Sequence, residues 1–259
     1  MRIRLMTFVL VALAVAGSLV AAESPFAGTW KLNPAKSKLT GDTMKFEKTA
    51  SGAIRCSGSG LSFDFNTDGK EYKGPMGEIM VWKQVDDHTW LQTTKQKGIL
   101  ISTDTYKLSA DGKTLTDISK GTKPNGATFE DTTVYERISG DKGLLGGWRD
   151  KEVKVSSPAI LEIKASGEDG LVLKSVGYKW TCDFKFDGKD YAVTGPTVPS
   201  GLSASMKRLG PRSFELVSKK DGKPLVRETY TVTADGRTLT VAGSPVAVNE
   251  PYTSVFERQ

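Results

Sequence analysis

Gly28-Thr29-Trp30-Lys31-Leu32 and Gly146-Gly147-Trp148-Arg149-Asp150 decide the reading of this chain, because the same Gly-X-Trp stretch opens two segments that close on nearly the same words. The first closes on Val134-Tyr135-Glu136-Arg137 and the second on Val255-Phe256-Glu257-Arg258. Between them, Asp68-Gly69-Lys70-Glu71-Tyr72 returns as Asp187-Gly188-Lys189-Asp190-Tyr191. Ala110-Asp111-Gly112-Lys113-Thr114-Leu115-Thr116 returns as Ala234-Asp235-Gly236-Arg237-Thr238-Leu239-Thr240. Order and spacing hold throughout, so the chain reads as two tandem copies, each of single-domain size. The expected division is a signal peptide at 1–22, a first β-domain at 23–139, a turn-rich linker at 140–143 and a second β-domain at 144–259.

Within each copy the side chains alternate. Ile79 and Val81 interleave with Met80, Trp82 and Gln84, and Thr89 to Thr94 and Ile99 to Leu108 switch sides in the same way. A period of two marks strands with two distinct faces. Asp68-Gly69, Asp111-Gly112, Asp187-Gly188, Asp221-Gly222 and Asp235-Gly236 punctuate the runs, and Asp-Gly supplies the positive φ angles that tight hairpins need. No window of helical length carries a 3.6-residue stripe with caps, so the mature chain is expected to be almost free of helix apart from one turn at Pro34 to Ser37. A meander of short strands with unprotected edges is best satisfied by closing into a barrel. The expected fold is therefore all-β, two tandem antiparallel up-and-down β-barrels, with a two-sheet sandwich as the alternative the same pattern allows.

At the N-terminus, Arg2 and Arg4 precede the apolar run Leu5 to Val20 and the small residues Ala21 and Ala22. That is the pattern of a cleaved secretory signal, and no later stretch is long and apolar enough to span a bilayer. The expected location is outside the cytoplasm, periplasmic or extracellular. Losing Arg2 and Arg4 takes the formal charge from +6 to +4, and the remaining Lys and Arg are interspersed with acids. This pattern argues against a nucleic-acid partner. Cys56 and Cys182 fall one in each copy at non-equivalent positions and read as free, partly buried thiols, with an inter-domain bridge as the alternative.

The Gly28–Leu32 stretch at the start of an up-and-down meander resembles the first strand of the calycin superfamily, which includes lipocalins, fatty-acid-binding proteins and avidins. The resemblance implies a lipocalin-like barrel whose first-strand Trp is covered by an Arg of the last strand, pairing Trp30 with Arg137 and Trp148 with Arg258 as a structural signature. Phe26 to Ser37, Asp187 to Tyr191 with Gly195, and Ala234 to Thr240 are similar to a group of secreted bacterial lipocalin-like proteins that brings no known catalytic residues. The chain departs from lipocalins in lacking their long linker and C-terminal helix. It departs from fatty-acid-binding proteins in having only Asn33 to Asp42 where those carry a helical lid.

His88 is the only histidine, and it falls in Asp86-Asp87-His88-Thr89, a hairpin turn with no nucleophile or orienting group placed around it. Asp64 with Asp68 and Glu130 with Asp131 read as strand-end or outer-face acids, and neither Ser57-Gly58-Ser59-Gly60 nor Gly143 to Gly147 continues as a phosphate-binding loop. No catalytic residue, metal ligand or cofactor is therefore expected. The aromatics are the stronger lead: Phe63, Phe65, Trp82, Trp90 and Tyr106 in the first copy are the candidate ligand-binding residues, with Trp180, Phe184, Phe186, Phe214 and Tyr230 in the second. Met80-Trp82-Gln84 and Trp90-Gln92-Thr94 set amides and hydroxyls on the face of the indoles, as an apolar pocket with a few orienting polar groups requires. A packed core uses the same residues equally well. The leading expectation is a non-enzymatic binding protein for a small apolar or amphipathic ligand. The alternative is an envelope interaction module with filled barrels, partnered by a protein or glycan.

Overall fold

The computed structural model describes residues 24–140 and 142–259, so the signal-peptide reading of 1–22 lies outside the described residues. The chain opens with β1 (Gly28–Leu32) and a single 3-10 turn (Pro34–Lys36), the turn anticipated at Pro34. Next come β2 (Thr43–Lys48), β3 (Ile54–Gly58), β4 (Leu61–Phe65), β5 (Asp68–Lys73) and β6 (Ile79–Asp86). These are followed by β7 (Thr89–Gln96), β8 (Ile99–Leu108), β9 (Thr114–Thr122), β10 (Thr128–Ser139) and β11 (Gly146–Lys154). After residues 155–159 run β12 (Ile160–Ala165), β13 (Gly170–Ser175), β14 (Trp180–Lys185), β15 (Asp187–Ala192) and β16 (Leu202–Gly210). The last four are β17 (Ser213–Lys220), β18 (Lys223–Val232), β19 (Thr238–Pro245) and β20 (Tyr252–Arg258).

These strands make two nearly closed antiparallel barrels of ten strands each. One, the inserted barrel, is built from β2 to β11 without interruption, in the order β5 to β11 followed by β2, β3 and β4. The other, the split barrel, runs β15 to β20, then β1, then β12 to β14. The open seams fall between β4 and β5 and between β14 and β15, and the second seam is tied by reciprocal backbone bonds between Thr181 and Thr194, each 2.8 Å.

The two Gly-X-Trp strands have therefore changed places. β1 pairs with β12 and β20, and β11 pairs with β10 and β2. This corrects the division into 23–139 and 144–259: the inserted barrel occupies 43–154 and interrupts its partner between β1 and β12. The expected linker at 140–143 lies in the hairpin loop that joins β10 to β11, and the connections between barrels are 33–42 and 155–159. The physical reason is that the short loop between β10 and β11 brings consecutive antiparallel strands together at small entropic cost.

The Trp–Arg signature is present, with its partners exchanged. Arg258 lies over Trp30, its guanidinium carbon 4.2 Å from the ring centre, and Arg137 lies over Trp148 at 4.1 Å. The pairing of Trp30 with Arg137 and Trp148 with Arg258 is thereby corrected. Each guanidinium also donates to three backbone carbonyls: Arg258 to Gly236 (2.6 Å), Pro25 (2.9 Å) and Ala27, and Arg137 to Gly112 (2.6 Å), Leu145 (2.6 Å) and Gly143 (2.7 Å). Each indole in turn donates to the carbonyl four residues back, Trp30 to Phe26 at 2.9 Å and Trp148 to Leu144 at 3.0 Å. The device satisfies strand-end carbonyls while closing one end of each barrel.

Two of the Asp-Gly pairs do different work from the others. Asp111-Gly112, Asp221-Gly222 and Asp235-Gly236 turn hairpins, but Asp68-Gly69 and Asp187-Gly188 begin β5 and β15, where the register slips. There Gly69 (φ 78°) and Gly188 (φ 72°) supply a bulge instead of a two-residue turn, bending the strand at the seam. Each barrel encloses its own core. Phe46, Phe65, Trp82, Trp90, Leu115 and Trp148 fill one, and Phe26, Trp30, Ile163, Phe184, Met206, Phe214 and Leu239 fill the other.

Candidate functional site

Alternation puts every second residue of β6 to β11 inside the inserted barrel. Met80 and Trp82 face inward opposite Thr94 and Gln92; Asp104 and Tyr106 follow on β8, Asp117 on β9, Thr133 and Tyr135 on β10, and Trp148 and Asp150 on β11. The five candidate aromatics all belong to this interior. Phe65, Trp82 and Tyr106 form a continuous stack, with ring centres 4.5 Å and then 5.0 Å apart, and Trp90 is buried in the same cluster. These four are core packing. Phe63 alone of the five lines open space, a lumen cavity of about 300 Å³ whose wall also includes Met44, Cys56, Leu61, Pro75, Thr133 and Tyr135.

That wall carries Asp42, Glu78 and Asp150, with no Lys, Arg or His. Asp150 accepts from the backbone N–H of Gly41, and burial raises its pKa. Burial also raises Asp42, helped by the neighbouring charges of Asp150 and Glu250. Tyr135 is pushed up chiefly by burial and further by the charges of Asp117, Asp150 and Asp42. Asp117 itself sits directly across from Thr133, and its carboxyl is raised to about 7 by burial and by Asp104. Below it, Ser102 donates to Asp104 at 2.7 Å, Tyr106 to Gln92 at 3.3 Å, and Gln92 to Thr94 at 2.9 Å. Three buried side-chain atoms of this barrel have no partner within the protein: one oxygen of Asp117, the side-chain oxygen of Gln96 and the indole N–H of Trp82.

The split barrel holds a smaller lumen cavity of about 190 Å³, lined by Trp180, Cys182, Phe184, Leu216, Glu228 and Tyr230 among others. Its one acid, Glu228, accepts from the hydroxyls of Tyr230 (3.1 Å) and Tyr252 (2.6 Å), and burial raises its pKa. Both oxygens are therefore occupied.

Matching the two barrels strand for strand from their Trp residues shows what the fold itself demands. Tyr106 corresponds to Tyr230 and Asp104 to Glu228, but Asp117 corresponds to Val241, Asp150 to Leu32, Gln92 to Leu216 and Tyr135 to Phe256. The same architecture closes with apolar side chains at those places. Asp117 and Asp150 are thus additions to the inserted barrel. Alternation could have found both, since each lies two residues from an inward Leu or Trp (Leu115, Trp148).

The remaining candidates are dispersed. His88 is exposed in its turn, where its N–H donates to Asp86 at 2.8 Å, and it does not take up a positive φ. Asp64 is engaged in a bidentate pair with Arg55 (2.7 and 2.9 Å), and Asp131 accepts from Ser156. Cys56 and Cys182 are free, one inside each barrel, with burial pushing each thiol up to about 12. Among the described residues no group of three or more His, Cys, Asp or Glu could hold a metal ion.

The architecture is all-β, two-barrelled and antiparallel, and it is compatible with a calycin-like fold. Compared with protein-family models, with curated proteins and with solved structures, the chain matches none.

Proposed function

We propose that this is an exported, lipocalin-like, non-enzymatic binding protein that holds a small amphipathic ligand in the lumen of the inserted barrel. The observation that carries the reading is the cavity of about 300 Å³ lined by Met44, Leu61, Phe63 and Tyr135, at the lower end of the volumes that small-molecule sites occupy. Its wall combines apolar side chains with a few polar groups, the composition such sites use. The split barrel, at about 190 Å³ and with its acid already satisfied, is the weaker candidate. The envelope-module reading calls for an exposed apolar patch. Exposed large apolar residues, Val85, Ile99, Leu100, Ile138, Leu209 and Val246, are instead spread over strand ends of both barrels, which favours the carrier.

The test is native mass spectrometry of the mature chain purified gently from an exporting host, followed by denatured intact mass. A reproducible small-molecule adduct lost on denaturation supports the carrier. A bare mass from several growth conditions overturns it and turns attention to protein or glycan partners on the outer surface.

A further inference from the structure

We propose that the lumen of the inserted barrel takes an organic cation, a protonated amine on an apolar body, with the ammonium group among Asp117, Asp150 and Asp42. This inference rests on the carrier reading and names its ligand class.

The cavity wall is acidic without compensation: Asp42, Glu78 and Asp150 line it, and no basic side chain does. Asp117 projects beside the lining residue Thr133, and one of its oxygens, though buried, has no partner in the protein. A buried carboxylate oxygen lacking a partner costs free energy, and natural proteins retain one where something else completes it. The internal duplicate excludes a purely architectural explanation, because the equivalent barrel closes with Val241 and Leu32 where this one carries Asp117 and Asp150. The aromatic groups fit the same ligand. Phe63 and Tyr135 line the cavity, and ring faces attract a desolvated cation. A free anion or a fatty acid is disfavoured by the same wall, which would set its carboxylate among three others.

The experiment is isothermal titration calorimetry of the mature chain with two head-group series on fixed bodies: octylamine, octanol and octanoate, and 2-phenylethylamine, 2-phenylethanol and phenylacetate. The expected result is binding of at least one amine at least tenfold tighter than its alcohol and carboxylate counterparts. Asp117→Asn, an isosteric change whose fold is verified by circular dichroism, should weaken the amine at least tenfold and leave the alcohol unchanged. Glu228→Gln, in the other barrel, should leave amine binding as it was. Equal binding across a series, a preference for the carboxylate, or no binding of either amine overturns the cation assignment. An adduct seen by native mass spectrometry in any of those cases keeps the carrier reading standing, so the two ideas fail separately.

Discussion

The exchanged Trp–Arg pairing makes a sharp prediction, because the exchanged and sequential arrangements couple different residues. Arg258 covers Trp30 at 4.2 Å, and Trp30 is 0% exposed, so the contact is desolvated. A cation–π contact of that kind contributes about 1–2 kcal/mol. Arg258→Met keeps the stem's packing but removes this contact and three bonds to backbone carbonyls. Hydrogen bonds to charged groups are worth about 1.5–3 kcal/mol each, and the freed carbonyls at a barrel end recover part of that from water, so a loss of about 3–5 kcal/mol is expected. Trp30→Phe removes the Nε1 bond to Phe26 and part of the ring. Guanidinium-chloride unfolding of the two single variants and the double variant, followed by circular dichroism, should show a coupling of about 1–2 kcal/mol between Trp30 and Arg258. The cycle joining Trp30 to Arg137, which sits in the other barrel over Trp148, should close to within about 0.5 kcal/mol. Coupling of Trp30 to Arg137, with none to Arg258, would refute the exchanged topology.

Three further outcomes are expected. The fragment 43–154, which contains every strand of the inserted barrel, should unfold cooperatively on its own; 43–139, which lacks β11 and the wholly buried Trp148, should not, and adding the peptide 144–154 should restore the transition. Asp117→Val should stabilise the protein at pH 8 by about 1–3 kcal/mol in chemical denaturation, because the carboxyl titrates near 7 when folded against 3.8 when exposed; native ionisation is penalised above that window, so the gain should shrink as pH falls through it and disappear below about pH 4. Cys56 and Cys182, with thiols near 12, should react with a thiol-specific reagent at pH 8 about a thousandfold more slowly in the folded protein than in denaturant, and the intact mass should show both reduced.

Much of the fold was readable because period-two alternation and turn chemistry are local properties. The inward face of Met80, Trp82, Gln92 and Thr94, the His88 turn and the hairpins at Asp111-Gly112 and Asp235-Gly236 all follow from residues a few positions apart. The partner of each Gly-X-Trp strand was not readable in that way. β1 and β11 carry nearly the same words, so either satisfies either slot as far as the local pattern goes. The loop joining β10 to β11 reads as punctuation between domains because its glycines suit a linker and a hairpin alike. The bulges at Asp68-Gly69 and Asp187-Gly188 were missed for a similar reason, since positive φ serves a turn and a bulge equally. At the site, aromatic bulk drew attention to Phe65, Trp82, Trp90 and Tyr106, which pack against one another. The residues that distinguish this lumen, Asp117 and Asp150, look in sequence like ordinary strand acids. Their importance emerges only when the registers of the two barrels are matched and Val241 and Leu32 are found in their places.

The exchange of strands also sets an order of events in time. The inserted barrel is complete once β11 has been made, whereas β1 must wait for β20, whose Arg258 donates to Ala27 across 231 residues. Contacts of such long range form slowly. Until β11 has been made, β1 is an available imitation of it, with its own Trp and its own Gly, while the slot between β2 and β10 is open. The molecule therefore carries a built-in competitor for its first closure, and its route to the native state runs through the displacement or late capture of that strand. Chains that finish with β1 in the wrong barrel would have the same strands, the same sheets and nearly the same core, differing only in which Arg covers which Trp.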